Sequence, residues 1–208
     1  MARLITQNSA SMRYLPQFIP TPECPSWELM AAYRDEHGFI PNGIHSAGNF
    51  VEDRFWPISG RFRDKITLVP RIMGMCGFYM IPESWLEIIE EFEPGIHQFK
   101  HILLTLKDSS PFNEKFYAMN IRTSLHDISD MTRSTATVKV YPDRWCFLDA
   151  MDHDRYRVYF IKDNISGFHL WYPSDVLSYT IAMSDELFER ISRLGGMNTI
   201  STLYIEEV

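Results

Sequence analysis

Apolar positions recur along this chain at two spacings, and the switches between them mark out its elements. The clearest helical stretch runs from Pro82 to Phe92. Trp85, Ile88, Ile89 and Phe92 fall at i, i+3, i+4 and i+7 and form one stripe, with Glu83, Glu87, Glu90 and Glu91 on the other faces. Pro82 suits a first helical turn, and Pro94-Gly95 ends the helix. A second helix follows Ser184 as its cap: Asp185 and Glu186 open it, Arg190 and Arg193 close it as the helix dipole favours, and Gly195-Gly196 stops it. A third spans Trp27 to His37, between Ser26 as N-cap and Gly38 as stop.

Segments of β-rich composition predict strands at 66–69, 77–81, 101–107, 115–121, 137–141, 145–148, 156–161, 168–172, 179–183 and 203–206. The turn residues at 108–111 make 101–107 and 115–121 an antiparallel hairpin, and 164–167 reads as a turn. A strand over Met12 to Ile19 is confined to a sheet edge, because Pro16 has no N–H to give a ladder. Residues 1–11 read as a loose arm, and 38–62, rich in Gly, Pro, Asn and aromatics, as a long ordered loop with short strands. Runs of strands with few helices point to an α+β fold, a mainly antiparallel sheet with a few amphipathic helices. The chain divides into residues 1–70 (arm, helix and aromatic loop) and 71–208 (an α+β domain), or forms one compact unit. The strand-to-helix segments starting at Met80 and Ala182 echo each other. One habit used twice accounts for this, and no repeat period emerges elsewhere.

Composition narrows the function. The 208 residues are 45% hydrophobic and 14% aromatic, enough for a packed core rather than disorder. A net charge of −7 argues against nucleic-acid binding, which needs a basic face, and admits a basic partner. Cys24, Cys76 and Cys146 are odd in number and far apart, so no disulfide framework or metal clip follows. No signal peptide and no apolar run of the roughly 18 residues that a membrane span needs is visible, which makes a reducing cytoplasm the expected address and membrane attachment unexpected.

Candidate chemistry is sparse. The dinucleotide, phosphate-loop, nucleophile-elbow and zinc-protease motifs are missing. His97 and His101 are four apart, but Pro94-Gly95 before them and a strand pattern after them argue against a shared helix face. The acidic run Asp149 to Asp154 lacks the Gly and Glu of a calcium loop, with Asp154 and Phe160 in their places. Asp127 and Asp130 are of the type that fastens turns, and Cys76, among Met73, Met75, Phe78 and Tyr79, reads as a buried, inert thiol. No metal, no cofactor and no catalytic residue is expected.

Several segments in order carry a resemblance: Ile81 to Phe99, Phe116 to Ile121, Leu125 to Asp130 with Ser134, His169-Leu-Trp171, and Ser184 to Ile191. Together, over about residues 78–207, they resemble a family of bacterial polymorphic-toxin immunity proteins first catalogued as a domain of unknown function. The resemblance implies a soluble, non-enzymatic protein, encoded beside a toxin used in bacterial competition, that binds the cognate toxin effector domain and shields its active site. The acidic balance suits a basic, nuclease-like toxin. Two rivals stand beside this reading. One is an enzyme that reverses a toxin's modification, using His97, His126, Asp127 and Asp130; the other is an adaptor for a non-toxin partner. The sequence does not set the oligomeric state.

Two acidic clusters are the expected partner-binding residues, both facing water: Glu90, Glu91 and Glu93 at a helix end, and Asp149, Asp152 and Asp154 in a loop. The aromatic loop from Phe39 to Phe62 is the next choice, since exposed rings anchor tight interfaces.

Overall fold

A computed structural model describes residues 1–7, 16–18, 26–46, 48–63, 65–66, 68–134, 138–141, 144–146, 157–174 and 180–208. In chain order the strands are β1 (Ala2–Gln7), β2 (Pro16–Phe18), β3 (Ser59–Phe62), β4 (Met73–Met75), β5 (Phe78–Pro82), β6 (Gln98–Thr105), β7 (Phe116–Asn120), β8 (Ser124–Leu125), β9 (Val138–Tyr141), β10 (Arg144–Cys146), β11 (Tyr159–Phe160), β12 (Leu170–Pro173), β13 (Ile181–Ser184) and β14 (Ile200–Glu207). The helices are α1 (Trp27–His37), α2 (Glu83–Phe92), α3 (Lys162–Ile165) and α4 (Asp185–Ser192). The fold is α+β, and it separates into two compact units. The central unit holds Gln7–Arg122 and Gly196–Ile200; the terminal unit holds Met1–Thr6, Thr123–Gly195 and Ser201–Val208.

The central unit is built on a six-stranded sheet in the order β2-β3-β6-β7-β5-β4, in which β3 and β6 are parallel and every other pairing is antiparallel. Residues on either side of position 70 share it. β2 takes the edge, the position that a strand carrying Pro16 can occupy. Alternate residues of the strands point into one core: Phe62, Met73, Met75, Phe78, Met80, Ile102, Leu104, Phe116 and Ala118, joined by Val51, Phe55 and Trp56. On the opposite face, α2 packs its buried Trp85, Ile88 and Ile89 over β5 and β7. α1 begins where Ser26 Oγ accepts the Leu29 N–H and ends at Gly38, whose left-handed backbone returns its N–H to the Arg34 carbonyl.

Two expectations fail in this unit. Ile66 and Val69 belong to no strand; they pack as loop residues against the core, and the strand forms later, at Met73–Met75. Cys76 is exposed rather than buried, because with Gly77 it makes the two-residue turn between β4 and β5, both at positive φ (53° and 78°). A turn tip points its side chain outward even when the flanking strand residues are buried.

In the terminal unit the sheet order is β11-β14-β1-β13-β12-β8. β1 runs antiparallel to β13, β13 antiparallel to β12, and the two short strands β8 and β11 pair parallel with β12 and β14. Residues 2–7, expected within a loose arm, are therefore an interior strand: Ala2, Leu4 and Ile5 are fully buried. The core gathers Leu4, Ile128, Val158, Phe160, Trp171, Ala182 and Leu203. α3 replaces the start of the expected turn at 164–167, and α4 is capped as its sequence predicts, Ser184 Oγ accepting the Leu187 N–H. β9 and β10 pair with each other as a separate antiparallel hairpin.

The echo between the two strand-to-helix segments extends well beyond the helices. In the central unit β4 pairs with β5, β5 runs straight into α2, and the chain returns as β6, parallel to β3, leaving room for β7 between β5 and β6. In the terminal unit β12 pairs with β13, β13 runs straight into α4, and the chain returns as β14, parallel to β11, with β1 in the middle place. The registers agree as well: Pro82 lies opposite Phe116, and Ser184 opposite Ala2. Each helix then opens with the same bond, Glu83 N–H to the Lys115 carbonyl (3.1 Å) and Asp185 N–H to the Met1 carbonyl (2.9 Å). The two acids reach back to their middle strands, Glu83 to Lys115 Nζ (2.9 Å) and Tyr117 Oη (2.9 Å), Asp185 to Arg3 Nε (3.1 Å). One plan serves both units, with the middle strand taken from a different part of the chain.

Candidate functional site

The acidic end of α2 is less of a charged surface than its sequence suggests. Glu93 is buried, its carboxylate 2.6 Å from Nε2 of the equally buried His97. Nδ1 of His97 accepts the Arg122 N–H at 3.2 Å, so Nε2 carries the proton that it donates to Glu93. Glu90 accepts the N–H of Gly95 (3.0 Å) and closes the turn after the helix. Glu91 remains exposed. Glu93 thus departs from the expected water-facing position, because a histidine four residues on, across the Pro94-Gly95 turn, draws it inward. Asp149, Asp152 and Asp154 lie outside the described residues.

The aromatic loop also turns inward. Phe55, Trp56 and Phe62 are core residues, Trp56 stacks on Phe78 (centroids 4.7 Å apart), and its indole N–H donates to the Val51 carbonyl. Of the rings between Phe39 and Phe62, Phe50 alone is strongly exposed, at 58%. The loop is held by polar side chains that the sequence reading passed over. Asn120, fully buried, accepts from Ser46 Oγ (2.7 Å) and donates to the Asn49 carbonyl and to Gln98. Asn42 Oδ1 accepts from both the backbone N–H and Nδ1 of His45 at 2.9 Å, and burial lowers the His45 pKa.

The four residues proposed for an enzyme are divided between the two units. His97 belongs to the central unit; His126, Asp127 and Asp130 belong to the terminal one. Asp130 fastens a turn, accepting from the Thr132 hydroxyl (2.7 Å) and the N–H groups of Thr132 and Arg133. These bonds, the hydroxyl's first, hold its carboxyl below the usual range. Asp127 takes a left-handed backbone (φ 55°) and lends its carbonyl to Asn164. His126 is exposed. Among the described residues no three His, Cys, Asp or Glu side chains are grouped to hold a metal, and no helix is long and apolar enough to cross a membrane.

Two concavities stand out. One, of about 260 Å³ in the terminal unit, is lined in part by Lys162, His169, Trp171, Ser184 and Glu186. Here His169 Nδ1 lies 2.9 Å from Ser184 Oγ, but that oxygen already caps α4, and Trp171 Nε1 finds no acceptor among the described residues. The Ser–His contact therefore braces the start of α4. The other, about 320 Å³ in the central unit, is an apolar groove between Ile66, Leu68 and Val69 on one side and Leu106, Pro111 and Phe112 on the other.

No curated protein matches the chain. A family model, that of the Imm11 immunity proteins, matches residues 9–203, nearly its whole length. The chain belongs to the Imm11 immunity protein family.

Proposed function

We propose that the protein binds one cognate toxin in the cytoplasm of the cell that makes both, and neutralises it by stoichiometric obstruction of the toxin's active site. The family match over residues 9–203 carries this reading. The engagement of His97, Asp130 and Ser184 in structural bonds supports a binding protein over an enzyme that undoes the toxin's work.

The test is co-expression with the toxin domain encoded by the adjacent gene. The expected outcome is restored growth together with a one-to-one complex that survives gel filtration. Restored growth with no complex, and with a toxin target that regains its unmodified state, would replace obstruction by catalysis. A partner recovered in the absence of any toxin gene would favour an adaptor.

A further inference from the structure

α2 covers only part of its side of the central sheet. It packs on β5 and β7, while the neighbouring strip on β6 and β3 stays open. Strand alternation decides what that strip displays. Along β3 and the residue after it, Gly60 and Phe62 are buried and Arg61 and Arg63 exposed. Along β6, Ile102 and Leu104 enter the core, while His101 and Leu103 face out. Lys107 is exposed in the turn just past β6. Arg61 lies opposite Thr105 in the parallel pairing and donates to Ser109 Oγ in the same turn, which ties the strip to the loop.

Leu103 is 62% exposed, the most exposed large hydrophobic side chain among the described residues of this chain. On the same outward side of β3 and β6, or just past their ends, lie Arg61, Arg63, His101 and Lys107, none of which forms an ion pair with a described carboxylate. Two acids border the strip and both are engaged elsewhere: Asp108 is turned back on its own loop, accepting the Ser110 N–H and hydroxyl, and Glu83, near His101, accepts from Lys115 Nζ and Tyr117 Oη. In a chain of net charge −7, this is a locally cationic surface with an apolar centre.

We infer that this strip docks an acidic segment of the toxin, with an apolar side chain of that segment against Leu103 and carboxylates against Arg61, Arg63 and Lys107. The inference rests on the toxin-binding reading above and names its surface. It reverses the polarity that net charge alone suggests: the contacting segment is acidic, not basic. An apolar anchor ringed by charges is the usual anatomy of a high-affinity patch, the centre giving affinity and the ring giving association rate. A nucleic acid is the weaker occupant, since a few cations on an acidic protein release few counterions.

The experiment measures association and dissociation rates against the purified, catalytically inactivated toxin domain encoded by the adjacent gene. Leu103→Asp is expected to weaken binding by about 100-fold, chiefly through faster dissociation. Arg61→Gln with Lys107→Gln is expected to slow association about tenfold and to flatten its salt dependence. Glu91→Gln, at the acidic end of α2, should leave both rates within about twofold. All of these positions are exposed, so the variants should keep the parent's melting temperature. A tight complex indifferent to the strip variants overturns the inference and leaves the toxin-binding reading standing; no complex with the unaltered protein overturns both. Loss of affinity in Glu91→Gln instead assigns docking to the α2 end. If the strip variants instead abolish binding of a duplex DNA probe, or dissociate a dimer seen by sedimentation, the occupant is a nucleic acid or a second copy, and the inference falls.

Discussion

His97 donates from Nε2 to Glu93 at 2.6 Å, and both side chains are almost wholly removed from solvent. The pair locks the turn after α2 to the start of β6, and the Arg122 N–H on Nδ1 extends the lock past the end of β7. Glu93→Ala leaves a buried imidazole N–H without an acceptor. The expected loss is about 1–3 kcal/mol of stability, read from urea unfolding followed by tryptophan fluorescence. Association with the toxin should change little once the variant is folded. Unchanged unfolding would mean that Glu93 is not held inside as described.

Acid should weaken the protein before its carboxylates titrate. Burial places the folded pKa of His45 below its ordinary value of 6.5, so between those two values the unfolded chain binds the proton more readily. Stability from this group is present above 6.5 and declines as pH falls through the window beneath it. Glu83, whose pKa is lowered by its bonds from Lys115 and Tyr117, acts further down: its contribution persists above the unfolded value of 4.5 and is lost as pH falls through the folded one. Denaturation midpoints taken between about pH 7.5 and about pH 5.5 should therefore drop, and His45→Asn should remove most of that slope. An unchanged slope in His45→Asn would assign the decline to other groups.

Gly77→Ala should destabilise by more than about 1 kcal/mol. Its φ is +78°, and an added Cβ would lie 2.4 Å from Asn42 Nδ2. Asn42 cannot yield without giving up its two bonds to His45, so the substitution should loosen residues 42–46 as well as the hairpin. Amide exchange at the His45 N–H is the direct measurement; full protection in the variant would contradict the contact.

Ser184→Ala removes the cap of α4 and the partner of His169 Nδ1 together, and should cost about 1–2 kcal/mol. Ser26→Ala, at an exposed cap whose helix buries little, should cost about 0.5–1 kcal/mol. Comparing the two by thermal unfolding separates the cap itself from the added histidine bond. Equal losses would mean that the His169 contact contributes nothing.

Helices were the legible part of the sequence, because a single face of Trp85, Ile88 and Ile89, or of Leu187 and Ile191, is a local pattern closed by local caps. β1 was not legible. Ala2-Arg3-Leu4-Ile5 is short, begins with a small side chain, and acquires its meaning from residues 181–184, nearly the whole chain away. The site shows the same division. Glu93 reads as one more surface acid until His97 is counted four positions on, a signal that was present but crossed a Pro-Gly turn. The alternation of Arg61, Phe62 and Arg63, and of His101 to Leu104, was also present; it became a surface only when β3 and β6 were known to be neighbours. Rings such as Phe55 and Trp56 suggested anchors by their type, yet only burial separates an anchor from a core residue.

Because β1 completes a sheet whose other strands lie beyond residue 123, the terminal unit has an unusual timetable. During synthesis the chain delivers Ala2, Leu4 and Ile5 long before their partners in β13 and β14. Closing that gap encloses the whole central segment, a contact of very high sequence separation and hence slow to form. The six strands of the central sheet, complete by Asn120, can assemble on the ribosome while β1 waits unpaired. Synthesis halted before β13 would therefore leave a β1 edge exposed to other nascent chains.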